Sequence, residues 1–308
     1  MILTVTLNPA VDKTYQTGTV VLGQVNRMRS VVNIPGGKGI NVSKILRRFQ
    51  KDVTATGFVG GYNGRFIEDS MRDIGVDCEF VHVKEETRTS INVLAADGFV
   101  TELLEPGPMI LPEQMNELVE IFPGLVNKSD LVVLSGSAAI GLPEDIYATL
   151  ITECNNAGIP VILDTSGPFL MEGVKALPTM IKPNQKELEF IAGHRLKDIS
   201  EIEAAARIIN NMGVSQVVVT MGARGIVYVD DEVSYYVSAP HVETVSTVGC
   251  GDCVTAACAI AMTEHKEVKD MMTFASAVGA ANAMTLENGN IDPDVVQKLM
   301  GEVGMRAL

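Results

Sequence analysis

The feature that most constrains this chain is a repeated alternation of short, wholly apolar runs with longer amphipathic ones. VTATGFVG precedes GRFIEDSMRDIG, DLVVLSG precedes LPEDIYATLITECNNAG, IPVILDTSG precedes a short helical stretch, and ISEIEAAARIINNMG precedes QVVVTMG. Leu131–Leu134, Val161–Leu163 and Val217–Val219 are hydrophobic on both faces, as strands covered by helices on both sides must be. This is the βαβ rhythm of an α/β fold with a mostly parallel central sheet and helices on both faces. In such sheets ligands gather beyond the carboxyl ends of the strands. With 308 residues and 46% hydrophobic content the chain can bury a large core. No linker, repeat or low-complexity tract divides it, so 1–308 reads as a single domain.

Two stretches break the rhythm. Thr14–Ile34 and Arg88–Glu105 read as strands without intervening helices, and the second contains Asp97-Gly98, a hairpin-turn signal. They are expected to form one small sheet, a β lid from about 14–34 and 88–105, whose exposed face suits either cover for the site or a homodimer contact. No basic-then-apolar leader opens the sequence and no apolar run is long enough to cross a bilayer, so the cytoplasm is the expected compartment. Five cysteines at irregular spacing fit reduced thiols better than a disulfide framework. The net charge of −14 argues against nucleic acid or an anionic membrane as partner. Charge is uneven, however: residues 1–90 hold 12 basic and 9 acidic residues, the remainder 12 basic and 29 acidic. Arg27, Arg29, Lys38, Arg47, Arg48 and Arg88 are therefore available to meet a small anionic ligand, or to serve as solvated surface charge.

The stretch VSTVGCGDCVTAACAIAM (Val245–Met262) carries the chemistry. Gly249 and Gly251 bracket Cys250 where a buried helix should begin, and a helix start presents unpaired N–H groups and partial positive charge. Gly249, Cys250 and Gly251 are thus placed to hold a phosphate or a developing oxyanion. Asp252 beside them reads either as a helix cap or as a general base that takes a hydroxyl proton during phosphoryl transfer. Cys250 and Cys253 form C-x-x-C, but no second such pair and no nearby histidine supports zinc.

The glycine-rich IPGGKGINVSKILRRF (Ile34–Phe49) and STVGCGDC (Ser246–Cys253) each resemble a signature of the phosphofructokinase-B, or ribokinase-like, sugar kinases. The likeness runs from TLNPAVDK (Thr6–Lys13) through KPNQKELE (Lys182–Glu189) and TMGARG (Thr220–Gly225) to the C-terminal helices, in the family's order. It implies a ribokinase-like fold with ATP and Mg2+ as co-substrates. It implies that Asp252 is the base and Gly249, Cys250 and Gly251 the anion hole. Asp12, Asn41, Gly36 and Gly37 match positions that bind sugar hydroxyls, although by themselves Asp12 reads as a turn residue after Pro9 and Asn41 as the cap of the helix holding Lys44–Phe49. Asn184 and Glu187 match the element that organises magnesium through water, and Lys182 lies near the nucleotide phosphates. Thr220 and Gly222 match a strand end that approaches ATP, and Asn282 a helix flanking the adenine.

Cys250 and Cys253 replace the family's usual small Ala or Ser, Ala257 stands where glycine is frequent, and Ser246 replaces a common aspartate. The thiol at 250 is expected to alter access or confer sensitivity to thiol reagents. Ser246 is familiar in the branch that uses sugar phosphates, and Arg88 in TRTSIN stands where that branch grips phosphate. Arg27, reaching a neighbouring subunit's site, and Ser137 are further expected contacts. TLNPAVDK with PGGKGINV most resembles 1-phosphofructokinases, which make fructose 1,6-bisphosphate from fructose 1-phosphate, and then tagatose-6-phosphate kinases; 6-phosphofructokinase is a further alternative. A sugar-phosphate sensor without turnover is the reading from another class. GFVGGYNG (Gly57–Gly64) raises a dinucleotide-binding reading, but lacks G-x-G-x-x-G.

Overall fold

The computed structural model describes residues 1–96 and 100–308. The expected Asp97-Gly98 turn lies outside the described residues. The chain begins with β1 (Ile2–Thr6), buried at all five positions, then β2 (Ala10–Thr17) and β3 (Ser30–Gly36). Helix α1 (Lys38–Arg48), β4 (Val53–Gly60), α2 (Gly61–Asp73) and β5 (Asp77–Val83) follow, then β6 (Arg88–Ala95) and β7 (Val100–Leu104). The alternation resumes with α3 (Pro112–Val126), β8 (Leu131–Ser135), α4 (Ile146–Ala157), β9 (Val161–Asp164), α5 (Gly167–Lys175), β10 (Met180–Ile181), α6 (Gln185–Ala192), α7 (Ile199–Asn211) and β11 (Gln216–Thr220). Strands β12 (Ile226–Asp230) and β13 (Ser234–Val237) precede helices α8 (Cys250–Thr263), α9 (Val268–Ala283) and α10 (Pro293–Met300), and β14 (Met305–Ala307) ends the chain.

Ten strands form the main sheet, in the order β14-β13-β12-β11-β10-β9-β8-β1-β4-β5. Every pairing from β5 to β11 is parallel, so the carboxyl ends of seven strands share one edge. The last three strands are antiparallel, a hairpin and return that the sequence reading left unassigned. Two apolar clusters cover the faces, one centred on α1, α8 and α9 and the other on α3, α4 and α7. Helix α8 is buried along nearly its whole length because its side chains are almost all small. That lets it lie close against α9 and α1 and drives its amino terminus into the interior.

The second sheet has the order β3-β2-β6-β7, with β2 and β6 parallel and both outer pairings antiparallel. Strand β6 starts at Arg88 as expected, but β2 starts earlier than the sequence suggested, at Ala10, so Asp12 is a strand residue opposite Ile34 and not part of a turn. Helix α1 likewise starts at Lys38 with Gly37 as its cap, which puts Asn41 inside the helix. No helix among the described residues is long and apolar enough to cross a membrane.

Candidate active site

Helix α8 starts at a left-handed residue, Gly249 (φ 75°), and no side chain caps it. Asp252 is therefore not a cap. The turn is tight enough to send the Cys250 N–H to the Thr247 carbonyl at 3.4 Å, which corrects the expectation that this amide is fully open. The N–H groups of Gly251 and Asp252, in the first turn, have no acceptor within the helix. The ammonium of Lys182 lies beside Gly251, 3.3 Å from where a Cβ would stand.

Asp252 is 5% exposed, and Asn41 Nδ2 donates to its Oδ2 at 2.8 Å. Burial, reinforced by the nearby Asp164 carboxylate, pushes its pKa up to about 6, against the opposing pull of Lys38, Asn41 and Lys182. A carboxylate with that pKa is ionised at neutral pH and basic enough to accept a hydroxyl proton. Asn41 thus orients Asp252, while its Oδ1 is buried without a partner and remains free to accept from a ligand hydroxyl.

The sequence reading missed Asp164, at the carboxyl end of β9. It is wholly buried and meets Lys38 Nζ at 2.9 Å and Lys182 Nζ at 3.2 Å, and it accepts from Thr255 Oγ1 at 2.7 Å. Burial alone would raise its pKa, but the two ammonium groups outweigh it and hold the carboxyl at about 2. The same cluster raises the pKa of Lys38: burial works against the charge, and Asp164, Asp252 and Glu187 together prevail. Strand position was the available signal, since a charged residue ending an apolar parallel strand faces the ligand edge.

The loop before α1 packs directly on β1 and β2. A methyl group on Gly36 would collide with the Asp12 carboxylate, and Gly37 (φ 102°) stands against Pro9 and Thr6. Asp12 is raised above the usual carboxylate range by burial, which Lys44 and Arg88 only partly offset. Arg88 is less free than expected: Nε and Nη2 donate to the Asn8 carbonyl at 3.2 and 3.1 Å, and Nη1 to that of Glu105 at 3.2 Å. Two of its five N–H groups remain. Ser137 is exposed just beyond β8, next to Gly136, which faces Lys38. Arg27 does not join this group within the chain. It is exposed in the loop joining β2 to β3, at the opposite end of that hairpin from the paired Ala10 and Gly36.

Asn184 and Glu187 form a reciprocal capping box at the start of α6: Asn184 Oδ1 accepts from the Glu187 N–H at 2.9 Å, and Glu187 Oε2 from the Asn184 N–H at 2.7 Å. Glu187 is thus a helix-fixing residue that still presents a second carboxylate oxygen. Thr220 bridges to Asn184, its N–H donating to the Pro183 carbonyl at 3.0 Å, and Gly222 (φ 61°) opens the exposed turn that follows β11. Asn282 is engaged within the protein, donating to the Val248 carbonyl and accepting from the Gly289 N–H. The thiols are quieter than the sequence suggested. Burial raises the pKa of both Cys250 and Cys253, which lowers their thiolate content.

Between the second sheet and the loops flanking α8 and α9 lies a cleft of about 540 Å³, lined by Asp12, Thr14, Asn92, Glu102, Ser246 and Asn288 among others. No group of three His, Cys, Asp or Glu that could hold a metal by itself occurs among the described residues. Glu187 and Asn184 suit a magnesium ion that arrives with a nucleotide and keeps much of its water shell.

Comparison with known proteins bears on the family and the fold. The sequence profile of the pfkB family carbohydrate kinases matches residues 5–293. The structure superposes on phosphofructokinase-2 from Escherichia coli, described in a tetrameric inhibited form, with TM-score 0.91 and 29% identity over 97% of this chain and 98% of that one. A Thermotoga maritima protein described as a possible 1-phosphofructokinase gives TM-score 0.91 and 25% identity over 100% and 99% of the two chains. Ribokinase from Arabidopsis thaliana, bound to ribose and ATP, shares the fold at TM-score 0.79 and 22% identity over 97% and 98%.

Proposed function

The chain belongs to the pfkB family of carbohydrate kinases, and from that premise we propose that it transfers the γ-phosphoryl group of Mg·ATP to a ketohexose phosphate, fructose 1-phosphate above all. The observation that carries the chemistry is the buried Asp252, raised to about 6 and aimed by Asn41 beside the free amides of α8. In this reading Asp252 accepts the proton of the attacking hydroxyl. The Gly251 and Asp252 amides and Lys182 offset the charge that builds on the transferred group. Asp12, the Gly36–Gly37 backbone and the free Asn41 Oδ1 position the sugar, and the remaining N–H groups of Arg88, with Ser137, take its phosphate. Glu187 and Asn184 act on the magnesium of the nucleotide through water, and Thr220 and Gly222 border the nucleotide. The four-stranded sheet closes over the sugar and excludes water. Its exposed Val31, Val32, Leu103 and Leu104 are covered by a second copy, through which Arg27 reaches the neighbouring site; sedimentation of a monomer at micromolar concentration would remove that contact.

Coupled ATP-consumption assays with fructose 1-phosphate, fructose 6-phosphate, tagatose 6-phosphate and unphosphorylated sugars test the substrate. The highest kcat/KM is expected with fructose 1-phosphate. A 29% identical neighbour is described in complex with fructose 6-phosphate, which favours the second reading, and a preference for that sugar would establish it. Sugar-phosphate binding without ATP consumption would instead make the protein a sensor. Arg88→Ala is expected to raise KM for the sugar phosphate by about 1.5–3 kcal/mol and that for ATP far less. Arg88→Lys should fall between, because a point charge cannot reproduce the guanidinium fork. An unchanged sugar-phosphate KM in Arg88→Ala would place the phosphate contact elsewhere.

A further inference from the structure

Asn282 is a buried polar side chain for which the proposed chemistry has no step. It sits in the last turn of α9, 1% exposed, and its carboxamide spans two loops. Nδ2 donates to the Val248 carbonyl at 2.9 Å and to Cys250 Sγ at 3.4 Å, while Oδ1 accepts from the Gly289 N–H at 2.9 Å. Val248 immediately precedes Gly249, the cap of α8. Gly289 immediately follows Asn288, whose side chain fills the space left by the missing Cβ of Gly249 and whose two amide atoms are buried without partners. Beside this link, the Val245 and Ser246 N–H groups donate to the Ala283 carbonyl at 2.7 and 3.2 Å. The loop before α8 is therefore strapped to α9 by backbone, whereas it meets the loop after α9 through the packing of Asn288 on Gly249 and, among the described residues, through the hydrogen bonds of one side chain, Asn282.

We propose that Asn282 is a positioning residue that clamps the loop before α8 to the loop after α9, and so fixes both the amides at the start of α8 and the carboxamide of Asn288. An amide is suited to this because it donates and accepts at once: aspartate would keep the bond to Gly289 and lose those to Val248 and Cys250. A clamp of this kind acts on the geometry of the transferred group, where a misplacement of about 1 Å costs on the order of a hundredfold in rate. It makes no contact with Asp12 on β2 or Asn41 on α1, and it meets the cleft that Asp12 lines only through Asn288 and the loop at Ser246. The inference rests on the reading of α8 as the site of phosphoryl transfer, and its test is chosen to stand apart from turnover.

The experiment is hydrogen–deuterium exchange by mass spectrometry on the wild-type protein, Asn282→Ala and Asn282→Asp, with steady-state kinetics and fructose 1-phosphate binding measured without nucleotide. In Asn282→Ala, exchange is expected to rise severalfold in peptides covering 246–252 and 285–290 while core strands keep wild-type protection. In Asn282→Asp the 285–290 peptide should stay protected and only 246–252 loosen. The alanine variant should lose about tenfold to a hundredfold in kcat, with fructose 1-phosphate affinity falling by a smaller factor because Asp12 and Asn41 stay in place. Wild-type exchange at both loops, or a rise spread equally over the core strands, would overturn the clamp. Absence of kinase activity in the wild type would defeat the proposed function, and the exchange pattern would still decide the clamp.

Discussion

The amino end of α8 and the carboxyl end of β9 each bury a carboxylate near Lys38 and Lys182, and the two groups respond to burial in opposite ways. Asp252 is pushed up to about 6, whereas Asp164 is held at about 2. Desolvation is the largest influence on both and raises both. The difference lies in their partners. Asp164 touches two ammonium groups and a hydroxyl, while Asp252 has one direct partner, a neutral amide, and feels Asp164 as a like charge. Environments that drive two carboxyls apart suit them to different tasks: Asp164 is ionised at neutral pH between two ammonium groups, and Asp252 has a pKa close enough to neutrality to exchange a proton.

The most severe way to break this comparison is Asp252→Asn, which keeps shape and removes the base. It is expected to lower kcat by about 10²–10⁴-fold while sugar-phosphate binding persists, and turnover near wild type would end the assignment. Asp164→Ala attacks the other member. It leaves Lys182 buried and unpaired, so urea unfolding at neutral pH should show a loss of about 3–5 kcal/mol. Because the folded pKa of Asp164 lies below the ordinary value of 3.8, its ionised pairing stabilises the fold fully above that pH. The deficit of the variant should shrink as pH falls from 3.8 towards 2. A deficit that did not narrow with acid would mean that the ion pairs are not its source.

Stability should move the other way at Asp252. Its folded pKa is raised, so ionising it in the fold carries a penalty that is absent below pH 3.8 and complete above about 6. Asp252→Asn is therefore expected to be more stable than wild type by up to about 3 kcal/mol above that range, and to gain nothing in acid. Thermal melts at several pH values read this directly, and a loss of stability at neutral pH would contradict the raised pKa. The smallest effect concerns Asn41. The wild-type kcat profile should show an acidic limb near pH 6, and Asn41→Ala, which removes a donor to the ionised form, should shift it upward by about one unit or less. A limb that stays in place would detach Asn41 from the base.

Much of the α/β framework is legible in the chain because it is written locally. Runs such as DLVVLSG become β8, and ISEIEAAARIINNMG becomes α7, since periodicity and turn residues act over a few positions. The antiparallel β12–β14 edge carries no such rhythm and was missed. In the site, the STVGCGDC stretch announced a buried helix start beside a carboxylate, and the family resemblance grouped Gly36 with Asp12, whose side chain lies against it. Asp164 ends the apolar strand of LDTSG, which marks it as facing the ligand edge, but nothing local reveals the two ammonium groups that it meets. Arg88 looked like a free guanidinium because nothing in TRTSIN reveals the Asn8 and Glu105 carbonyls that hold it.

The sequence by itself thus determined the layered sheet, the glycine-shaped turns and the residue types gathered at the strand ends. Those follow from steric freedom and hydrophobic pattern, which neighbours in the chain suffice to set. Only the tertiary structure decided which carboxylate has its pKa raised and which has it lowered. Asn41 reaches Asp252 across 211 residues of chain, Lys38 reaches Asp164 across 126, and Thr255 reaches it across 91. A pKa is fixed by the charges and dipoles within a few ångströms and by how much water is excluded, and both come into being only when those distant segments pack together.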